Sequence, residues 1–339
     1  MNDPIEVLIT LPLPENLINR LEEISPRLKL TVHKASKPED VPTEAWGRAE
    51  VLYTARVLPN PAWAPNLRWI QFHWAGVDHV ISDPILRQPN LVATTLSGSA
   101  ASQVAEYIVM MILAMGHHMP ELVANQRKAE WPRDRWERFT PRELRGSTVG
   151  LVGYGSIGRQ TARLLVSFGA TVLATKRDVM HPQDFDYIPE NLGDPEGDFV
   201  HRLYPAEALH SMLKECDFVA ITVPKSPGTL NLIQAPELEA MQPTAYLIDI
   251  SRGGIVDHNA LLAALKDRKI AGAALDVFPE EPLPADSPFW KLPNVLITPH
   301  ISGITSQYDE RAVEMFSANL QRYLAGQTLF NRIDPERGY

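Results

Sequence analysis

The sequence predicts an α/β protein built from two doubly wound parallel-sheet domains. Three observations predict it. At 339 residues the chain exceeds what one compact core usually holds. Short apolar strands alternate with helical patterns from Ile5 onward, the signature of parallel strands covered on both faces. A second such alternation begins at Ser147, after a polar connector. The composition, 45% hydrophobic and 22% charged, is that of a folded globular chain.

Taken in order, Ile5–Thr10 reads as a strand, and Glu15–Ile24 as a helix with Leu17, Ile18, Leu21 and Ile24 at helical spacing. Leu28–Val32, Glu50–Tyr53, Leu67–Phe72 and Leu91–Thr95 read as further strands. Pro12, Pro14, Pro38, Pro42, Pro59, Pro61 and Pro65 fall between these elements, as loops require. Gln103–Met115 is apolar nearly all round. Such a helix must be buried on every side, which places it between domains or at a subunit interface. Gln126–Arg145, with Trp131 and Trp136, reads as a partly helical connector.

From Ser147 the pattern restarts. Thr148–Val152 and Thr171–Thr175 are strands around a helix over Ile157–Ser167. Phe218–Val223, Ala245–Ile250, Ala271–Val277 and Val295–Thr298 are further strands. Leu261–Leu265 belongs to a helix that Asp257 or Asn259 would cap. In a last helix, Thr305–Leu324, one face carries Tyr308, Ala312, Met315, Phe316, Leu320, Tyr323 and Leu324. That stripe means core packing. Asp178–Pro205, rich in Pro, Asp and Gly, fits neither period and reads as a long surface insertion.

Charge and cysteine usage narrow the function. With 41 acidic and 32 basic side chains the formal charge is −9, a surface that repels phosphate backbones, so nucleic acid is not an expected partner. The single cysteine, Cys216, lies in the apolar run Cys216–Ala220 and reads as a small buried hydrophobe in a reducing compartment. The longest apolar run, Tyr107–Met115, is well short of the ~18 residues a membrane span needs. The chain opens on Ile5–Ile9 without a basic flank or signal-like core. A cytoplasmic protein without a membrane partner is expected.

The strand Thr148–Val152 runs into Gly153-Tyr154-Gly155-Ser156-Ile157-Gly158, and a helix runs out. In that context a G-x-G-x-x-G is a dinucleotide-binding signature. The first glycine makes the tight turn, the second admits the pyrophosphate, and the third lets helix and strand pack closely. Backbone N–H groups of Gly155, Ser156 and Ile157 at the helix N-terminus would meet the phosphates. The next strand ends in Thr175-Lys176-Arg177, with Lys176 18 positions after Gly158. An NAD site usually has a carboxylate there for the ribose 2′-hydroxyl. A threonine with two cations suits a 2′-phosphate instead. NADP(H) is therefore expected in preference to NAD(H).

Three segments follow apolar strands: Ile250–Asp257, Leu275–Pro284 and Thr298–Gly303. They carry Arg252, Glu281 and His300. Ligands bind at the carboxyl ends of strands in open α/β sheets. The Arg252 fork suits a substrate carboxylate, held by two charge-assisted bonds, and would polarise a neighbouring carbonyl. His300 titrates near working pH and can give a proton to the alkoxide that hydride addition creates. Glu281 would favour the protonated ring and fix its orientation. Singly, an Arg, Glu or His after a strand is usually a surface group or a satisfied hydrogen bond. Together, beside a dinucleotide motif, they point to hydride transfer onto a 2-keto acid. No metal is expected.

The glycine motif, the Ser-Arg-Gly-Gly stretch at Ser251–Gly254, Asp276-Val277-Phe278 with Glu281-Pro282-Leu283-Pro284, and Pro299-His300 with Gly303 resemble the D-isomer-specific 2-hydroxyacid dehydrogenase family, glyoxylate/hydroxypyruvate reductase-like and of NADP type. The resemblance runs from about Ile5 to Leu324 and is most specific over residues 147–303. It implies a Rossmann nucleotide-binding domain inserted in a flavodoxin-like substrate domain. The substrate domain would comprise residues 1–101 and 301–339, and the Rossmann domain 102–300, with the long helix near 101–118 building a homodimer. It implies a D-2-hydroxy acid product. Asp276 would hold the nicotinamide carboxamide, and the loop around Val223, Pro224 and Thr229 would touch the cofactor. Trp74-Ala75-Gly76-Val77-Asp78 is similar to the loop whose backbone amides hold the substrate carboxylate. Trp74 stands where a smaller residue is frequent, and Asp178–Pro205 is longer than usual. With no regulatory domain after Tyr339, a serine-pathway enzyme is disfavoured. Phosphite fits the same Arg, Glu and His and stays open as an alternative substrate. So does a dinucleotide-binding corepressor that binds peptides.

Overall fold

In the computed structural model, which describes residues 3–334 and 337–338, all twelve strands pair in parallel. The chain divides into two units, Met1–Ser99 with Thr305–Tyr339, and Ala100–Ile304. The strands are β1 (Ile5–Ile9), β2 (Leu28–Val32), β3 (Val51–Thr54), β4 (Trp69–Phe72), β5 (Val92–Thr94), β6 (Thr148–Val152), β7 (Thr171–Thr175), β8 (Arg202–Tyr204), β9 (Phe218–Ile221), β10 (Tyr246–Asp249), β11 (Gly272–Leu275) and β12 (Val295–Ile297). The helices are α1 (Glu15–Glu22), α2 (Thr43–Arg48), α3 (Ala101–Gly116), α4 (Met119–Arg127), α5 (Arg135–Arg138), α6 (Ser156–Ser167), α7 (Leu209–Leu213), α8 (Ala235–Ala240), α9 (His258–Lys266) and α10 (Tyr308–Leu324).

The first unit holds a five-stranded sheet of order β2-β1-β3-β4-β5, the flavodoxin-like doubly wound order. Successive residues of β1 serve opposite cores. Val7 and Ile9 pack with Leu17 and Leu21 of α1 and Val313, Phe316 and Leu320 of α10. Leu8 packs on the other face with Ala45 and Trp46 of α2. Burial on both faces is why these strands read as continuous apolar runs.

The second unit holds a seven-stranded sheet of order β12-β11-β10-β9-β6-β7-β8. The order reverses between β6 and β9, the switch point at which Rossmann sheets bind dinucleotides. Ile108, Ile112 and Met115 of α3 cover one face with Val149, Leu151 and Ile248. Met212, Leu238, Leu261 and Leu265 cover the other with Val152, Val219 and Leu247. Each fully buried leucine contributes about 1.5–3 kcal/mol.

Two expectations need correction. Within the chain α3 is not buried on every side, because Met110 is 49% exposed. The chain's own sheet covers only one flank of the helix. Asp178–Pro205 is not a surface insertion throughout. Its end is the edge strand β8, paired with β7, and its Asp194 is buried at 2% exposure. The short helices α2, α7 and α8 are five or six residues long, too brief to show a helical period. Asp257 caps α9, its carboxylate accepting from Asn259 and Ala260 N–H at 2.9 and 3.1 Å. Cys216 is fully buried, and burial pushes its thiol up to about 12. Among the described residues no single helix is long and apolar enough to cross a membrane.

Candidate active site

The glycine loop follows β6 at the switch point. Gly153 sits at φ +107, a region side chains rarely adopt, and a Cβ on Gly158 would lie 2.4 Å from the Gly153 carbonyl. These are the tight turn and close approach the motif calls for. A Cβ on Gly155 would meet nothing within 4 Å. Gly155 is also the N-cap of α6 and offers no side chain to the first-turn N–H groups. Open space beside a helix N-terminus that lacks a side-chain cap from Gly155 fits a pyrophosphate.

Thr175 and Thr222 hold this loop. Thr175 Oγ1 accepts from Gly153 N–H at 3.0 Å, and Thr222 Oγ1 donates to Gly153 O at 2.9 Å. The Thr175 hydroxyl is thus buried against the loop. Sequence reading missed Thr222, whose partner lies 69 residues away. Val223 borders the turn, 2.9 Å from where a Cβ on Gly153 would stand. Thr229 closes its own loop, donating to Pro224 O at 2.7 Å and accepting from Ser226 N–H at 2.8 Å.

At the end of β7 the Lys176 ammonium donates to the carbonyls of His181 and Gln183. Burial first, then the nearby Arg159 charge, lowers its pKa. Arg177 is exposed. The Asp178 carboxylate accepts from His181 Nδ1 at 2.8 Å and Met180 N–H at 3.1 Å, and the His181 hydrogen bond leads in holding it below its ordinary range.

Three loops, after β10, β11 and β12, carry the three candidate catalytic side chains Arg252, Glu281 and His300. Arg252 follows β10, its guanidinium donating to Ser251 O at 2.8 Å. This loop is tied by Asp249, whose Oδ1 accepts from Ser251 N–H at 3.0 Å and Oγ–H at 2.5 Å. His300 follows β12 in the left-handed region, φ +53, a strained position that surrounding bonds must hold. Asp276 supplies them. Its carbonyl accepts from His300 N–H at 2.9 Å. Its carboxylate accepts from Thr298 Oγ1 at 2.7 Å, Ile301 N–H at 3.0 Å and Ser302 N–H at 2.9 Å. Glu281 Oε2 lies 2.7 Å from His300 Nδ1, and its Oε1 accepts from Phe278 N–H at 2.9 Å. The pair engages His300 through Nδ1, not through Nε2. Sequence reading singled out Asp276 but not Asp249, an acid ending an apolar strand.

In the first unit, Trp74-Ala75-Gly76-Val77 follows β4. Trp74 is 45% exposed and packs on Tyr308 at 5.3 Å, while Val77 is buried. Among the described residues no acceptor takes the N–H groups of Ala75 and Gly76. The preceding His73 is wedged between the Tyr53 hydroxyl, 2.7 Å from Nδ1, and Asp309, 3.4 Å from Nε2. Burial lowers its pKa, against the pull of Asp309.

Comparison with known proteins gives a consistent result. Residues 109–302 match the model of the D-isomer specific 2-hydroxyacid dehydrogenase NAD binding domain. A glyoxylate reductase of Thermofilum pendens is 37% identical over 266 residues, 78% of this chain and 74% of that protein. An (S)-sulfolactate dehydrogenase of Chromohalobacter salexigens is 36% identical over 264 residues, 77% of this chain and 78% of that protein. The crystal structure of a D-isomer specific 2-hydroxyacid dehydrogenase from Xanthobacter autotrophicus, in complex with NADPH and MES, superposes with a TM-score of 0.80 at 27% identity, covering 99% of this chain and all of that one.

Proposed function

The chain belongs to the D-isomer specific 2-hydroxyacid dehydrogenase family of oxidoreductases, and within it we propose an NADPH-dependent reductase that converts a 2-keto acid to a D-2-hydroxy acid. The observation that carries this reading is the His300–Glu281 pair at 2.7 Å, with the His300 loop held by Asp276.

When bound, the nicotinamide would supply the hydride. Arg252 would grip the substrate carboxylate and draw charge onto the carbonyl oxygen as it reduces. In the first unit, the Ala75 and Gly76 N–H groups, which no acceptor takes among the described residues, would suit a carboxylate. His300 Nε2 would pass its proton to that oxygen, leaving a hydroxyl, while Glu281 steadies the ring through Nδ1. Gly155, Ser156 and Ile157 would hold the pyrophosphate, with Val223 and Thr229 bordering the cofactor. Lys176 and Arg177 would read the 2′-phosphate. Asp178 supports this preference for NADP(H), since its carboxylate is turned to His181 and Met180. The NADPH seen in the Xanthobacter relative agrees. We further propose a cytoplasmic homodimer. Met110, Met119, Leu122, Trp131 and Trp136 are all more than a third exposed in the single chain, and exposed apolar side chains of this size mark interfaces.

The test is the initial rate of NADPH and NADH oxidation against glyoxylate, hydroxypyruvate, pyruvate, phenylpyruvate, branched-chain keto acids and 3-sulfopyruvate. The last is included because one relative is a sulfolactate dehydrogenase. The expected result is turnover with at least one keto acid, faster at low NADPH than at low NADH. Dinucleotide binding without turnover of any keto acid would overturn the reading.

A further inference from the structure

Arg159, on the helix that carries the glycine motif, is only 1% exposed. Its guanidinium donates to Asp194 O and Pro182 O, each at 2.5 Å. The Asp184 carboxylate lies 3.2 Å from its Nε, and the Tyr154 ring lies 4.7 Å beneath it. The Tyr154 hydroxyl donates to the Asp194 carboxylate. That carboxylate also accepts the N–H groups of Gly197, Asp198 and Phe199 at 3.1, 2.8 and 3.0 Å. Gln160 Oε1 accepts from Gly193 N–H at 2.6 Å.

The ties share one geometry. On one side stand Tyr154, Arg159, Gln160 and Lys176, from the glycine motif, its helix and the end of β7. On the other side stand backbone groups and acids of residues 181–199. An idle surface loop would leave an arginine in water. Burying a cation is costly unless it is paired and bonded, and here the segment supplies carbonyl acceptors for both terminal nitrogens and a carboxylate 3.2 Å from Nε. The segment also takes two of the three Lys176 ammonium protons, through His181 O and Gln183 O. A lysine so held is no longer a point charge on a flexible stem.

We propose that residues 178–199 form a fixed outer wall of the pocket for the cofactor's 2′-phosphate, in which Arg159 and Asp194 are positioning residues that aim the remaining Lys176 N–H at that phosphate. This rests on the NADP(H) reading above. Its electrostatics are consistent. Burial and Arg159 both weigh against the Lys176 charge, and a phosphate anion beside it offsets them.

The experiment measures dissociation constants of the full-length protein for NADPH, NADH and adenosine 2′,5′-bisphosphate, with kcat at saturating NADPH. Asp194→Ala removes the hub of the segment. It is expected to weaken NADPH and the bisphosphate about 10-fold, the size of one lost charge-assisted bond. NADH binding and saturated kcat should stay within about 2-fold. Gln160→Ala, which cuts only the Gly193 tie, guards against a misfolded first variant and should show the same selectivity at about 3-fold. Equal weakening of NADPH and NADH would make the wall a mere stabiliser of the fold and overturn the proposal. So would unchanged NADPH binding, or tighter binding, which would mean that the segment blocks the pocket. A wild-type protein that binds NADPH no better than NADH refutes the cofactor reading itself. Strong wild-type preference without selective loss in the variants refutes only the wall.

Discussion

The loop that presents Arg252 and the loop that presents His300 leave the same edge of one sheet, and each is tied by a buried aspartate. The two aspartates are held differently. Asp276 receives Thr298 Oγ1 and the Ile301 and Ser302 N–H groups, spread over both carboxylate oxygens, with the Tyr107 hydroxyl at 3.4 Å. Asp249 receives both Ser251 donors on Oδ1 alone, and among the described residues nothing donates to its buried Oδ2. Burial therefore pushes the Asp249 carboxyl up to about 6 from 3.8, with the charge of Asp276 adding to the rise. A carboxylate buried at a strand end costs stability unless donors fill both oxygens. The anchor whose loop carries a strained histidine has those donors; the other does not.

The comparison can be broken at four points. The largest effect is expected at the histidine. His300→Ala should lower kcat by about 10²–10⁴-fold, the usual worth of a positioned acid, with the dissociation constant for NADPH unchanged by fluorescence titration. Near-normal turnover would remove His300 from the chemistry. Next comes its anchor. Asp276→Ala strands two backbone donors and releases the His300 loop, so urea melts should show a loss on the order of 2–4 kcal/mol. Activity should fall with it. A rise in KM for NADPH at undiminished stability would instead assign Asp276 to the nicotinamide carboxamide.

Asp249 gives a smaller, pH-dependent effect. Its folded pKa is raised, so the folded state binds the proton more tightly. The stabilisation is complete below about pH 4 and is lost as pH rises through about 6. Relative to Asp249→Asn, wild-type stability should therefore fall by at most about 3 kcal/mol over this window, at roughly 1.4 kcal/mol per pKa unit. Thermal melts of both proteins from pH 4 to 7.5 read that difference. A difference that grows with pH would mean an ionised, paired Asp249. Last, Ser251→Ala removes one neutral donor from Asp249 and should cost about 1 kcal/mol in chemical denaturation, with KM for the keto acid rising as Arg252 loosens. No change in either quantity would show that Ser251 does not position Arg252.

The Arg252 and His300 loops also show how far the sequence carries. Their strands, and the residue types after them, were legible because an apolar run followed by Arg-Gly-Gly or Pro-His is a local pattern. So was the glycine motif, whose meaning lies in six consecutive residues after a strand. The anchors were harder. Asp276 holds Ser302 across 26 positions, and only a resemblance had marked it. Asp249 and Thr222 drew no notice, because nothing in their neighbours tells a buried anchor from a strand-end polar residue. The exceptions within Asp178–Pro205, read as a surface insertion, were missed for a related reason. The segment's Pro, Asp and Gly look like solvent-facing chain, and its buried acid, Asp194, is bonded by Tyr154 from 40 positions upstream.

By itself the sequence determined the two parallel sheets and the glycine loop of the nucleotide-binding domain, and it named three candidate side chains. Those features rest on periodicity and on residue chemistry within a few positions, where steric and hydrogen-bonding preferences are local. Tertiary structure alone decided that Lys176 is fixed by His181 and Gln183, that Arg159 is buried, that Met110 on α3 is exposed, and that Asp249 and Asp276 differ. The charge, hydration and orientation of a side chain are set by which distant groups fold against it, and no local pattern encodes that.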